Sequence, residues 1–115
     1  MTSVTIYHNP RCSKSRQTLA LLEERDLKLN IVPYLETPPD RNTLQAIIKK
    51  LRVTGIDIVR TGEDEYKASG LTKDSDDNEV IEAILKAPKL LQRPIVVSGD
   101  HARVGRPPEC VLEIL

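Results

Sequence analysis

The order of secondary-structure signals at the start of the chain constrains its fold more than any other sequence feature. Residues 4–7 are β-branched or aromatic, which predicts a short strand. Asn9 and Pro10 end this strand, because the residue before a proline is disfavoured in helical backbone conformations. A leucine-rich apolar stripe then predicts a helix over 13–25. The chain therefore begins with a strand, a turn and a helix.

The later signals predict further strands and helices, without repeats, low-complexity tracts or linkers. Leu44, Ile47, Ile48 and Leu51 follow the i, i+3, i+4, i+7 spacing of an amphipathic helix, which Gly55 closes. The other predicted elements are a strand over 29–35, a helical turn over 56–60, helices over 64–69 (capped by Gly70), 76–87 and 109–115, and strands over 94–97 and 102–104 joined by a turn at 98–100.

This β-α-β … β-β-α order predicts an α/β protein of thioredoxin-like fold with a helical insertion. The first β-α-β unit should be parallel and the closing hairpin antiparallel, which gives a mixed four-stranded sheet. A chain of 115 residues fits one domain, spanning 1–115. Because it has no Trp, no Phe and 3 Tyr, its core must consist of Leu, Ile and Val.

Composition and charge argue against several classes of protein. The 17 basic and 17 acidic residues balance, whereas duplex-binding proteins usually carry a basic surplus, so no nucleic-acid partner is predicted. No stretch approaches the ~20 apolar residues of a membrane span. Residues 1–6 lack the basic start and the apolar run of a signal peptide. We therefore expect a cytoplasmic protein with no membrane partner.

The spacing of cysteines and histidines predicts neither a metal site nor a disulfide framework. Cys12 and Cys110 are far apart, as are His8 and His101, and no Cys-x-x-Cys or His-x-x-x-His pair occurs. In a reducing cytosol, an isolated thiol remains a thiol.

Cys12 lies where the first strand has ended and the first helix begins. The free amides and the dipole at a helix start favour an anion, so they stabilise a thiolate. His8, Arg11, Lys14 and Arg16 add positive charge nearby, and each should lower the pKa of the thiol. The alternative is a buried and inert cysteine. The hydrophilic neighbours on both sides argue against burial, so we expect Cys12 to lie at the surface, which favours the reactive interpretation.

Ser15 stands where a dithiol oxidoreductase would carry its resolving cysteine. Cys12 therefore cannot close a disulfide within this motif, and turnover would need an external thiol. Cys110 is the only internal candidate. Its position beside Val111 and Leu112 on the last helix favours packing in the core.

Three arginines stand at predicted element boundaries: Arg60, Arg93 and Arg106. The rigid fork of a guanidinium suits tetrahedral oxyanions. Singly, each arginine is typical of a solvated surface, but together with a thiolate they indicate a small-oxyanion site. Pro94 heads the third strand and could take a cis bond close to the thiol, although a trans bond is the ordinary expectation.

The stretch from Ile6 to Arg16 closely resembles the active-site motif of the glutaredoxin-coupled arsenate reductases. The segments 34–39, 93–97 and 105–109 resemble further motifs of that family in the same order, so the resemblance runs essentially from end to end. Arg11, Ser13 and Lys14 depart from the smaller residues of the best-characterised members and add positive charge at the site.

The resemblance implies a mechanism in which Cys12 attacks arsenate and forms a thiol-linked adduct. Glutathione, a co-substrate rather than a bound cofactor, joins the adduct, and glutaredoxin removes the mixed disulfide as arsenite leaves. The residues it implies are His8, which helps to activate the thiol; Arg60, Arg93 and Arg106, which bind the oxyanion; and Asn9, Ser13, Ser15 and Pro94, which support the site.

Two other functions stay open from the sequence. One is a glutathione-linked thiol reductase that acts on glutathione adducts or on another oxyanion. The other is a transcription regulator of the same superfamily that binds the RNA polymerase alpha subunit. That regulator typically carries a Cys-x-x-Cys switch, whose second cysteine is Ser15 here.

Overall fold

A computed structural model describes residues 2–115 of the chain. The chain divides into two compact units. The sheet unit contains the residues up to Thr37 and those from Arg93 to Leu115, and the helical unit contains Pro38–Gln92. The helical unit is the predicted insertion between the β-α-β and β-β-α segments. The expectation that residues 1–115 form one domain stays a prediction.

The sheet unit contains one mixed four-stranded sheet, as predicted. Its strands are β1 (Thr2–His8), β2 (Leu27–Pro33), β3 (Ile95–Ser98) and β4 (His101–Val104), in the spatial order β2-β1-β3-β4. β1 pairs in parallel with β2 and antiparallel with β3, and β3 pairs antiparallel with β4. The parallel first unit and the antiparallel closing hairpin confirm the thioredoxin-like arrangement.

The core of the sheet unit is aliphatic, as the lack of Trp and Phe requires. Val4, Ile6, Leu22, Val96 and Val111 form its buried cluster. Successive side chains of a strand point to opposite faces, so every second residue from Val4 to His8 is buried. His8 continues the buried series of Val4 and Ile6, and this register places a histidine on the core face at the end of the strand.

The first helix and the last helix pack against each other in the sheet unit. Helix α1 spans Ser13–Glu23 and buries Ser15, Thr18 and Leu22. The last helix is a 3-10 helix over Pro108–Ile114. Its start on a proline follows the preference of that residue for a first helical turn.

The helical unit begins with α2 (Arg41–Leu51), which buries the predicted Leu44, Ile47 and Ile48. Helix α2 ends with Arg52 in the left-handed conformation (φ 60°), so the expectation that Gly55 closes it is wrong.

Gly55 instead opens a 3-10 helix over Gly55–Ile58. Its N–H donates a hydrogen bond to the Asp77 carboxylate (2.6 Å), and a Cβ there would lie 2.8 Å from the same oxygen. The close approach of the Asp77 carboxylate explains why position 55 is a glycine.

The remaining α-helices of the helical unit begin and end close to their predicted boundaries. Helix α3 (Asp64–Ser69) ends at Gly70 with a φ of 78°, and α4 (Asp77–Lys86) begins with a capping box between Asp76 and Glu79. A 3-10 helix over Pro88–Leu90 follows α4. Within residues 2–115, no helix has both the length and the apolar character that crossing a membrane requires.

Candidate active site

The loop after β1 places Cys12 at the first turn of α1. The Asn9 carbonyl accepts a hydrogen bond from the Cys12 N–H (3.0 Å), and the Asn9 side chain accepts one from the Arg11 N–H (3.0 Å). Cys12 is the N-cap of α1, with an extended backbone (φ −97°, ψ 123°). Its carbonyl accepts the first helical hydrogen bond from the Arg16 N–H at 3.0 Å. The amides of the first turn, which have no acceptor within the helix, therefore adjoin the Cys12 side chain.

The Cys12 thiol is buried, and yet its pKa is lowered. Burial by itself raises the pKa of Cys12, but three groups outweigh it: the backbone amide of Ser15, the guanidinium of Arg93 and the backbone amide of Lys14. The amides donate to the sulfur, and the guanidinium acts by hydrogen bonding and by charge. Because the thiolate is the nucleophilic form of cysteine, these groups favour a reactive sulfur.

The environment of Cys12 differs in two ways from the expectation. Only 8% of Cys12 is exposed, so the expectation that polar neighbours keep it at the surface is wrong. Arg11 and Ser13, on either side, are exposed, whereas Cys12 turns inward between them. The second difference concerns the positive charges expected to lower the pKa of the thiol. Lys14 lowers this pKa through its backbone amide and not through its charge, and the guanidinium that lowers it is that of Arg93, not that of Arg11 or Arg16.

Two of the three predicted oxyanion-binding arginines lie beside Cys12. Nη2 of Arg106 is 3.9 Å from Sγ of Cys12, and Nε of Arg106 donates a hydrogen bond to the Arg93 carbonyl (3.0 Å). Nε of Arg93 is buried and has no hydrogen-bond partner. The fold thus brings two guanidinium groups to one sulfur, although 94 residues separate Arg106 from Cys12.

Each of these arginines precedes a proline in a cis peptide bond, Arg93–Pro94 and Arg106–Pro107. Pro94 is buried immediately before β3, and its carbonyl accepts a hydrogen bond from the Gly105 N–H (2.9 Å). The Arg93–Pro94 bond is therefore cis, the less common of the two forms that the sequence left open.

Arg60, the third predicted arginine, belongs to the helical unit. Its guanidinium pairs with the Glu63 carboxylate, which also lies 4.0 Å from Nζ of Lys89. The Arg60 N–H donates a hydrogen bond of 2.7 Å to the Leu90 carbonyl. Its part in oxyanion binding stays a prediction.

The His8 ring is hydrogen-bonded to the Ser15 side chain. Its Nδ1 lies 2.7 Å from the hydroxyl oxygen of Ser15, which also accepts a hydrogen bond from the Asn9 N–H (3.0 Å). Burial is the main cause that lowers the pKa of His8, so the ring is uncharged at neutral pH. Ser15 therefore contributes its amide to Cys12 and its hydroxyl to His8. The expected role of His8 in activating the thiol stays a prediction.

Tyr34 is a site residue that the sequence reasoning missed. It is 0% exposed, and no acceptor lies within hydrogen-bond distance of its hydroxyl. Burial raises the pKa of Tyr34, whereas the charge of Arg93 and donation from the Arg93 and Asn9 side chains oppose that rise and the charge of Cys12 adds to it. The available signal was position: Tyr34 directly follows β2 as Asn9 follows β1, and parallel strands end at the same edge of a sheet.

The second cysteine is a free thiol, as is Cys12. Cys110 is half-buried on the last helix, and its neighbour Val111 is the residue that enters the core. The expected core packing of Cys110 is thus only partial. Across residues 2–115, no group of three or more His, Cys, Asp or Glu side chains is arranged to hold a metal ion.

Fold and site together define a thioredoxin-like α/β protein with a thiol of lowered pKa at a helix start and two arginines beside it. The ArsC family profile matches residues 7–114, nearly the whole chain. The chain belongs to the ArsC family, which confirms the resemblance noted from its motifs.

Individual relatives agree with this assignment. The chain is 48% identical over 115 residues to an arsenate reductase of Haemophilus influenzae, covering 98% of this chain and 99% of the relative. It is 50% identical over 114 residues to a protein of Escherichia coli strain K12 named "Uncharacterized protein YfgD", covering 97% and 96% of the two chains. Among solved structures, the arsenate reductase from Vibrio cholerae superposes with a TM-score of 0.92 at 45% identity, over 99% of this chain and 98% of that one.

Proposed function

We propose that this protein reduces arsenate to arsenite, with Cys12 as the nucleophile and with glutathione and glutaredoxin as external reductants. The observation that carries the proposal is the Cys12 sulfur at the start of α1, with its pKa lowered and Nη2 of Arg106 at 3.9 Å. The names of the Haemophilus influenzae and Vibrio cholerae relatives support arsenate as the substrate.

The first step forms a sulfur–arsenic bond. The Cys12 thiolate donates an electron pair to arsenic, and one oxygen of arsenate is protonated and leaves as water. Arg93 and Arg106 stabilise the negative charge of the arsenate oxygens, because guanidinium groups bind such oxygens in a fixed, two-pronged geometry.

The later steps need thiols from outside, because Ser15 occupies the place of a resolving cysteine. A glutathione thiol forms a second sulfur–arsenic bond and releases another water. The glutaredoxin thiolate then attacks the glutathione sulfur, and the electron pair of that sulfur–arsenic bond passes to arsenic. Arsenic is thereby reduced from As(V) to As(III), and the glutathione and glutaredoxin sulfurs form a mixed disulfide. Water finally displaces the Cys12 sulfur and releases arsenite, so that one net water forms for each arsenate reduced.

The test is a coupled assay that follows NADPH oxidation with glutathione, glutathione reductase, glutaredoxin and arsenate. We expect an arsenate-dependent rate that Cys12→Ser abolishes and that the matched variant Cys110→Ser retains. A folded protein without an arsenate-dependent rate would overturn the proposal. NADPH oxidation with a glutathionylated substrate and no arsenate would instead assign the protein to the glutathione-linked thiol reductases.

A further inference from the structure

Tyr34 lies at the edge of the sheet where the candidate active site is built. It follows Pro33, the last residue of β2, and Pro33 is paired in register with His8, the last residue of β1. The loop that leads to Cys12 therefore leaves the sheet beside Tyr34. Two backbone N–H groups donate to the Pro33 carbonyl at 2.9 Å and form the turn that carries Tyr34.

The Tyr34 hydroxyl is an unsatisfied buried group. It is fully enclosed, and its proton has no acceptor within hydrogen-bond distance, although most buried polar groups in proteins have a partner. Nε of Arg93 is buried and unpartnered as well, and Arg93 lies close enough to Tyr34 to act on its pKa. Two donors with no acceptor therefore occur together beside Cys12.

The chemistry of these groups specifies the missing partner. The guanidinium groups of Arg93 and Arg106 and the backbone amides at the start of α1 can only donate hydrogen bonds. The Tyr34 hydroxyl stays protonated at neutral pH, because burial raises its pKa. A ligand that satisfies all of them must present several acceptors and negative charge, and a tetrahedral oxyanion does so.

We propose that Tyr34 is a further oxyanion-binding residue, whose hydroxyl donates a hydrogen bond to an oxygen of the anion held by Arg93 beside Cys12. This inference rests on the proposed function and deepens it by adding an uncharged donor to the two guanidinium groups. The hydroxyl binds the anion without adding a positive charge that would further lower the pKa of the thiol.

The experiment measures how arsenate protects Cys12 from alkylation by iodoacetamide, without glutathione, in a Cys110→Ser background. Tyr34→Phe removes only the hydroxyl, and Tyr66→Phe, on the half-buried Tyr66 of α3, is the matched control. Loss of one hydrogen bond to a charged ligand should raise the arsenate concentration for half protection about tenfold or more in Tyr34→Phe. Tyr66→Phe should keep the value of the unmodified site.

Three outcomes would overturn the inference, and they are distinguishable. Equal half-protection concentrations in Tyr34→Phe and its control would remove Tyr34 from the site and leave the proposed function intact. A higher midpoint in the pH profile of alkylation of Tyr34→Phe would show that the hydroxyl serves the thiolate instead of the anion. No protection by arsenate in the parent protein would end both the inference and the proposed function.

A second measurement does not depend on the folding of Tyr34→Phe. The chain has no Trp, so its near-ultraviolet absorption comes mainly from its 3 tyrosines. Arsenate should produce a tyrosine difference spectrum in the parent protein and also in Tyr66→Phe. A flat difference spectrum at arsenate concentrations that protect Cys12 would contradict the inference.

Discussion

At the scale of the residue, the chemistry of the site depends on groups that act on one sulfur. Burial opposes ionisation of Cys12, and the Ser15 amide, the Arg93 guanidinium and the Lys14 amide overcome that opposition. Ser15 also holds His8 through its hydroxyl at 2.7 Å. A cysteine at this position would keep the amide but replace the hydroxyl that bonds to His8. The serine therefore both excludes a disulfide within this motif and fixes the His8 ring.

Replacing Arg93 by Lys separates charge from shape. Lysine keeps the positive charge but loses the planar fork, so arsenate should be held less well. We expect Arg93→Lys to raise the KM for arsenate about tenfold, the effect of losing a hydrogen bond to a charged group. The exposed Arg25 offers the control Arg25→Lys, which should leave KM unchanged. An unchanged KM in Arg93→Lys would remove Arg93 from the oxyanion site.

The buried His8 should make the stability of the protein depend on pH. Its pKa is lowered in the folded state, chiefly by burial, so the unfolded chain binds the proton more readily. The stabilisation from the neutral ring is complete above the unfolded pKa of about 6.5 and is lost as the pH falls below it towards the folded value. The free energy of unfolding in urea should therefore fall as the pH drops below about 6.5.

Two histidine variants isolate this effect. His8→Gln should show a smaller loss of stability on acidification than the parent protein, whereas His101→Gln, at an exposed position of β4, should match the parent. Equal pH dependence in His8→Gln and the parent would contradict the assignment.

At the scale of the element, the end of β4 lies close to both α1 and the segment that precedes β3. A Cβ at Gly105 would lie 2.5 Å from Oγ1 of Thr18 and 2.8 Å from Cγ of Pro94. Glycine therefore allows the approach that brings the next residue, Arg106, to Cys12. The Gly105 N–H adds a hydrogen bond of 2.9 Å to the Pro94 carbonyl.

Gly105→Ala should harm both the fold and the site. Crowding in a packed interior typically costs about 1–3 kcal/mol, and the shift needed to relieve it moves Arg106 away from Cys12. We expect a lower free energy of unfolding together with a higher KM for arsenate. Gly62→Ala is the control, since nothing lies within 4 Å of a Cβ at Gly62. Equal stability of the two variants would show that β4 can relax without cost.

The sequence predicted helices and strands correctly where their boundaries and buried faces depend on residues close together in the chain. The Gly70 cap of α3 and the hydrophobic face of α2 followed directly from residue type and spacing. Gly55 misled the prediction, because its reason is the Asp77 carboxylate, a contact 22 residues away. Cys12 appeared exposed from its neighbours, because sequence does not show which way a side chain turns in a loop.

At the scale of the whole molecule, the site depends on contacts that span the chain. Arg106 meets Cys12 across 94 residues, and the charges sum to zero, so the positive environment is a local product of folding. The motifs named the thiol and the arginines, but only the fold shows that Arg93 and Arg106 converge on it. Tyr34 was not predicted, although it directly follows β2, because the burial of its hydroxyl and the lack of an acceptor for it result from the fold.

The most direct test of this account is the pH dependence of Cys12 alkylation in a Cys110→Ser background. The folded protein should give a midpoint clearly below about 8.5, the value of a free cysteine. The urea-unfolded chain should return to that value, because unfolding removes the helix start and separates Arg93 and Arg106 from the sulfur. A folded-state midpoint at or above the unfolded one would mean that burial prevails over these groups and that Cys12 is no activated nucleophile.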